Sequence, residues 1–554
     1  MLALAADNLP ATPGFDRFDW LVLGAYFALL IGTGVWFSWR QSRSTADYFL
    51  ASRQMPVWAV AFSILATAQS AATFVGAPEM SYRGDLSYLS TNLGGILAAL
   101  ILAAVFIPIY YRLGVSTPYQ LLESRFGPGA KIVASITYMI GRVFAGGARL
   151  FIGALPFSLL VFGDVHLLSI AFSIAIFTAF GILYTLWGGV SSVIWTDVIQ
   201  VCVYLGATVA ALVVLLHLIP VGLPDIFHAL RHPIDPASGQ ILPSKLNLLS
   251  LGLDPSKPML GFDPGASISL LTVITGFTLL TIASHGADQD LVQRMLTCKS
   301  PLLGSLSVIS GVLVGIPAVF LFLCLGLLLF IFYQRPDIMG QAAPTSIPET
   351  KHLVMSFSLQ YLPPGLAGLM LAGLLAAGPC GINASLNSMS STFVSDVYRP
   401  HRPGRHERHY LLAGRLGVVG AGIVVGAFAL ACHWIYNEND TTLIDFALGV
   451  MNFAYAGLLG VFFTALFSRR GSVWSCVASI ITGFVVIALM QPVTLGALSH
   501  IVDPLLHRVF TPAHSLAGVK IAFPWQLLIG ATICTSVCMI GNHPARALPQ
   551  TPSA

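Results

Sequence analysis

The chain has 554 residues, of which 56% are hydrophobic and 9% charged, with a formal net charge of +4 and a mean hydropathy of +0.81. Soluble domains carry roughly 25% charged residues, so this composition excludes a soluble surface, and the small net charge leaves no basic patch for nucleic acid. The apolar residues come in blocks of about 20 or more, enough for an α-helix to cross about 30 Å of hydrocarbon, and not in the short alternating segments of a closed barrel.

The blocks predict thirteen helices, at 19–38, 56–81, 92–112, 132–161, 164–186, 193–218, 267–287, 302–333, 364–398, 411–434, 442–468, 472–491 and 523–541. The fold class is therefore an all-α polytopic membrane protein built as one transmembrane domain. The first fourteen residues lack a basic segment followed by an apolar core, so no cleaved signal peptide is expected. The connections 219–266 and 334–363 are rich in Pro, Gly and Ser and read as gating or capping loops.

Short loops on one side collect Arg40, Arg43, Arg53, Arg112, Arg125, Lys131, Arg294, Lys299, Arg399, Arg402, Arg405, Arg408, Arg469 and Arg470. Cytoplasmic loops concentrate Lys and Arg, so the expected site is the cytoplasmic membrane, with the N-terminus outside and the C-terminus cytoplasmic. The run from Arg399 to His409 reads as a topology anchor, with a lipid or partner site as the alternative. The eight cysteines lie singly in or beside apolar blocks, without metal-ligand or disulfide-framework spacing. There is no phosphate-cradling glycine loop and no nucleophile with a partner base, so neither an enzyme nor a cofactor is expected.

Helices 2 and 7 each begin a set of five, helices 2–6 (56–218) and helices 7–11 (267–468), and the two sets run in opposite directions, with 19–55 before them and 469–554 after. Both leading helices carry polar residues at mid-membrane depth. Helix 2 has Thr67, Gln69, Ser70 and Thr73, and helix 7 has Thr281, Ser284, His285 and Gly286 before Asp288. Such residues permit an unwound stretch whose carbonyls take an ion, a solute or water. Interhelical hydrogen bonding by small polar residues is the competing reading.

Several segments carry a resemblance: residues 46–84 (ADYFLASRQMPVWAVAFSILATAQSAATFVGAPEMSYRG), 116–127 (STPYQLLESRFG), 186–200 (LWGGVSSVIWTDVIQ), 288–300 (DQDLVQRMLTCKS), 387–398 (NSMSSTFVSDVY) and 413–422 (AGRLGVVGAG). In order, spacing and membrane placement these resemble the sodium:solute symporter family, related to sodium/glucose transporters and proline permease. The resemblance implies a fold of the bacterial leucine transporter type, five plus five inverted helices with flanking extras. It further implies secondary active symport, in which influx of a cation, sodium, drives uptake of a small polar solute by alternating access. A proton-coupled or uncoupled transporter of the same fold, and a solute sensor, are the alternatives.

By the same resemblance the cation-binding positions fall on Ala66 and Gln69 of helix 2, on Ala377, Cys380 and Gly381 of helix 9 and on Asp197 of helix 6; Asn383, one turn beyond on helix 9, is the oxygen donor expected to share a cation with Asp197. The chain departs from the family where two hydroxyl residues usually stand and it has Cys380 and Gly381, because a thiol is a poor ligand for a hard cation and glycine offers no side-chain ligand. A small-residue packing stripe explains those positions equally well. Asp197 can also salt-bridge at the membrane edge.

The substrate-binding positions are expected at Thr73, Thr281, Ser284, His285, Arg149 and Tyr455, with Asn452 beside them. Arg149 can hold a solute carboxylate bidentately or pair with an internal carboxylate. His285 can equally be structural, and Arg142 is expected to snorkel toward the inner face. The Ser284 and His285 pair stands where sugar-transporting relatives have bulky aromatics, which disfavours a galactose-type site.

Overall fold

The computed structural model describes residues 16–39, 45–234, 239–253, 263–344, 346–348, 353–436, 443–492, 494–497 and 520–541. Among them there is no strand, only one isolated bridge between Ile234 and Ile241. Helices cover all thirteen predicted blocks. Helix 1 spans Arg17–Trp39, helix 2 runs as Val57–Ala68 and Ala71–Arg83, helix 3 is Ser87–Leu113 and helix 4 is Pro128–Phe162. Helices 5 and 6 occupy Leu167–Leu218, and helix 7 runs as Leu270–Ala287 and Gln289–Met295. Helix 8 is Pro301–Gln334, helix 9 Leu366–His401, helix 10 Glu407–Ile435, helix 11 Leu443–Phe467, helix 12 Val473–Leu489 and helix 13 Phe523–Met539. Eight of the described helices are long and apolar enough to cross a membrane, or nine with the two pieces of helix 2 counted as one bent span.

Small residues let these helices approach closely, which matters in lipid because no hydrophobic drive favours one apolar surface over another. A methyl group placed on Gly326 of helix 8 would fall within 2.0 Å of the Pro78 carbonyl oxygen, so backbone meets backbone there. Helices 5 and 6 join through a single elbow at Gly189, whose φ of +58° is open to glycine at little cost. A side chain there would also meet Tyr48 O at 2.7 Å, while the Tyr48 hydroxyl donates to Thr185 O, so the elbow is pinned to the short helix Thr45–Leu50.

The long connection after helix 6 is tied down by Lys245. Its ammonium donates to Tyr82 O (2.7 Å) and Gly84 O (2.9 Å) at the end of helix 2, and lies 4.1 Å from the centre of the Phe330 ring. Burial lowers its pKa to about 8.

Three of the basic residues that sequence reading assigned to loops are not free in loops. Arg294 is buried in the second piece of helix 7, Arg125 donates to Ala465 O and Ser468 O, and Lys131 pairs with Glu123 at 2.6 Å. Their charge is satisfied inside the protein, so they say less about sidedness than exposed loop residues do.

Candidate functional site

Both leading helices are interrupted where the polar residues stand. In helix 2, Gln69 (ψ 158°) and Ser70 (φ −153°, ψ 173°) are extended, and the axis turns by 63°. The Ser70 carbonyl restarts the helix by accepting from Thr73 N and Phe74 N, both at 2.9 Å. Among the described residues none donates to the carbonyls of Ala66 and Gln69. The Gln69 side-chain oxygen is also buried without a partner. A buried carbonyl without a donor costs about 1–3 kcal/mol, so these oxygens are primed to accept a ligand.

Helix 7 breaks differently. Residues Ala283–Ala287 form a π turn, Asp288 is extended (φ −100°, ψ 120°), and its carboxylate caps the next piece by accepting from Asp290 N at 2.9 Å. The loosened carbonyls are taken by tyrosines, Tyr110 donating to Gly286 O (2.5 Å) and Tyr119 to Ala287 O (3.0 Å).

A cavity of about 180 Å³ lies between the breaks. Thr73, Thr281, Ser284, His285, Arg149 and Tyr455, the six expected substrate positions, all line it, together with Gln69 of the cation set. It reaches past Tyr88, Thr91 and Asn92 toward the start of helix 3. Ser284 Oγ and His285 Nδ1 are 2.9 Å apart, and both approach Thr281 O at 3.2 Å. The Arg149 guanidinium is buried and has no carboxylate partner among the described residues. It donates to Thr67 O at 3.2 Å, at the helix 2 break, and its other terminal nitrogen is 3.8 Å from Met451 Sδ. The Tyr455 hydroxyl is committed to Asp288 Oδ2 at 2.7 Å. Asn452 does not reach the cavity: its amide donates to Phe523 O at 2.7 Å, closing helix 11 onto helix 13.

Beneath the cavity lies a network of buried charges. Arg142 contacts Asp290 directly and sits 3.6 Å from Asp288. Arg294 reaches Asp290 at 2.8 Å, Asp197 at 3.3 Å and Ser63 Oγ at 2.8 Å, and Ser63 donates to Asp197 at 2.5 Å. Arg142 therefore does not snorkel: two carboxylates hold it inside, because a desolvated guanidinium is stable only when compensated. Asp197 is fully buried, and its charge is met by Arg294, the salt bridge that the alternative reading expected.

Helices 2 and 9 pack against each other beside the helix 2 break. Helix 9 approaches the break at Gly378, where an added methyl would lie 3.9 Å from Ala71 Cβ, and Ala377 is buried next to it. Asn383 Oδ1 is buried without a hydrogen-bond partner among the described residues, facing Gly181 of helix 5. The side chains of Cys380 and Gly381 lie outside the described residues.

Sequence reading missed Asp288, Asp290 and Arg294 as one ionic unit. The spacing of Asp290 and Arg294, four apart on a helix, is a signal that could have found one pair. The partnership with Arg142, 148 residues earlier, leaves no such trace.

Among solved structures, the chain superposes with a TM-score of 0.75 on an outward-open, substrate-bound sodium-coupled sialic acid symporter, at 23% identity, with 96% of this chain and 99% of that one covered. This establishes the shared fold. Among curated proteins it is 29% identical to the sodium/sialic acid symporter SiaT of Proteus mirabilis, over 85% of this chain and 89% of the relative. It is 27% identical to the sodium/sialic acid symporter NanT of Aliivibrio fischeri (87% and 89% covered) and 26% identical to the human sodium/iodide cotransporter (88% and 71% covered). With two interrupted helices facing each other across a polar cavity, and the family model matched over residues 48–483, the chain belongs to the sodium:solute symporter family.

Proposed function

We propose that this protein is a sodium-coupled symporter whose solute is small, polar and negatively charged, with a carboxylate held by Arg149. The observation that carries this reading is a buried guanidinium in the cavity wall, with a backbone carbonyl and a thioether as its neighbours and no carboxylate partner among the described residues. A solute carboxylate supplies the missing partner and two charge-assisted hydrogen bonds. Thr73, Thr281, Ser284 and His285 offer neutral donors and acceptors for the rest of the solute. Two bacterial relatives are named for transport of a sialic acid, itself an acid.

In this reading sodium takes the helix 2 break at the carbonyls of Ala66 and Gln69, with Ala377 of helix 9 as the opposing position that the resemblance implies. Asn383 is the side-chain oxygen this reading assigns to the cation, and Cys380 and Gly381 leave the seat with fewer hydroxyls than the family pattern. Asp197 acts on the cation through Arg294 and Ser63. The repeats 56–218 and 267–468 rock about this seat, and the basic loops face the cytoplasm, so the solute enters from outside.

The test is uptake into proteoliposomes under an imposed sodium or proton gradient, comparing small carboxylates with their uncharged amides. Sodium-driven accumulation of an acid but not its amide is expected. Equal accumulation of the amide would overturn the role of Arg149, and equilibration indifferent to sodium would overturn coupling.

A further inference from the structure

Away from the solute cavity, helices 4, 9 and 10 enclose a second hollow of about 690 Å³ that opens sideways and is almost wholly apolar. Its floor is cut by small residues of helix 10, Ala413, Gly417, Gly420 and Ala421, and its walls are Met139 and Val143 of helix 4 with Met389 and Phe393 of helix 9. From Leu412 to Val424 the groove follows helix 10 for about 18 Å, at 1.5 Å per residue. It is long and narrow, as a hydrocarbon chain requires.

One end of the groove is polar. Tyr398 and His409 form its mouth, joined by a 2.8 Å hydrogen bond. Helix 9 reaches this mouth through a π turn at Phe393–Tyr398. The connecting turn beyond is firmly built: Tyr410 donates to Arg402 O at 2.6 Å, its oxygen accepts from Arg405 N at 3.2 Å, and the Arg399 guanidinium lies over its ring. Glu407 is fully engaged, accepting from Arg399 at 3.0 Å and from the Thr45 hydroxyl at 2.9 Å. Arg402, Arg405 and Arg408 are exposed, and none of the three has an acidic partner among the described residues. Arg408 lies one turn before Leu412, on the stripe that lines the groove.

An apolar trough ending under three uncompensated guanidiniums has the two-part chemistry of an anionic phospholipid. We propose that one such lipid binds here, an acyl chain in the groove between helices 4, 9 and 10 and its phosphate on Arg402, Arg405 and Arg408. Basic pockets between transmembrane helices select anionic headgroups on this principle. The chain-binding half supplies contact with any lipid, and the arginines supply the preference.

The test uses the full-length protein in detergent, with native mass spectrometry counting retained phosphatidylglycerol against phosphatidylcholine of the same acyl chains. Wild type should retain phosphatidylglycerol by roughly tenfold over phosphatidylcholine. The triple variant Arg402→Gln, Arg405→Gln, Arg408→Gln should level the two lipids. Gly420→Leu should reduce retention of both by filling the trough; no atom lies within 4 Å of an added Cβ there, so the change leaves the helix packing intact. Undiminished phosphatidylglycerol retention in Gly420→Leu would overturn the proposal. So would a triple variant that still prefers phosphatidylglycerol, or loss of the wild-type preference when millimolar inorganic phosphate is added, which would mark a free-phosphate site instead.

Discussion

The two interruptions differ in what satisfies them. At helix 2 the freed carbonyls of Ala66 and Gln69 have no donor among the described residues, and Arg149 beside them donates to Thr67 O. At helix 7 the freed carbonyls of Gly286 and Ala287 are met by Tyr110 and Tyr119, and Asp288 anchors the restart in the charge network. The first break keeps open acceptors among the described residues; the second is filled by the protein itself. An interrupted transmembrane helix is thus not by itself a binding site, since its backbone must be satisfied by something, and a tyrosine hydroxyl serves as well as an ion.

This contrast makes substitutions at helix 7 cost stability and those near helix 2 cost affinity. The largest effect is expected from Arg142→Ala, which leaves Asp288 buried without a cation and Asp290 with Arg294 alone, at about 3–5 kcal/mol. Thermal melting of the purified protein measures it, and adding Asp288→Asn should recover much of the loss; a single variant as stable as wild type would remove the charge network from the account. Next comes Arg149→Gln, expected to weaken binding of a carboxylate solute by about 1.5–3 kcal/mol, or some 10- to 150-fold, with little change in melting. Calorimetric titration reads this directly, and a melting loss larger than the affinity loss would make Arg149 structural.

Tyr110→Phe should cost about 1–3 kcal/mol of stability by orphaning the Gly286 carbonyl, while leaving solute affinity nearly unchanged. A matched fall in affinity would mean that both breaks serve the cargo. The smallest effect is expected from Cys380→Ser with Gly381→Ser, which restores the hydroxyl pair of the family pattern. Apparent sodium affinity in uptake assays should rise by about 1 kcal/mol, roughly fivefold. An unchanged sodium dependence would move the cation elsewhere.

The helices and both breaks were legible in the sequence, because apolar length and mid-membrane polar residues are local signals. Gln69 and Ser70 interrupt an apolar run, and Asp288 is a helix-capping residue following Gly286. The cavity lining was legible through the resemblance, which placed residues from helices 2, 4, 7 and 11 around one space. The charge network was not. Arg142 and Asp197 read as single costly charges, and only three-dimensional proximity shows that Arg142 belongs to Asp288 and Asp290, and Asp197 to Arg294. The orphaned oxygen of Asn383 is of the same kind, since a missing partner cannot be read from one residue.

The three guanidiniums of Arg142, Arg149 and Arg294 and the three carboxylates of Asp197, Asp288 and Asp290 sum to zero when all six are ionised. A monoanionic solute and one sodium ion leave that sum untouched, so a carrier loaded one to one moves through the electric field of the membrane no differently from an empty one. Each further sodium adds a full positive charge, worth about 2.3 kcal/mol per 100 mV across the whole field. The stoichiometry of transport should therefore show in its response to voltage: indifference for one ion per solute, and inward current for two.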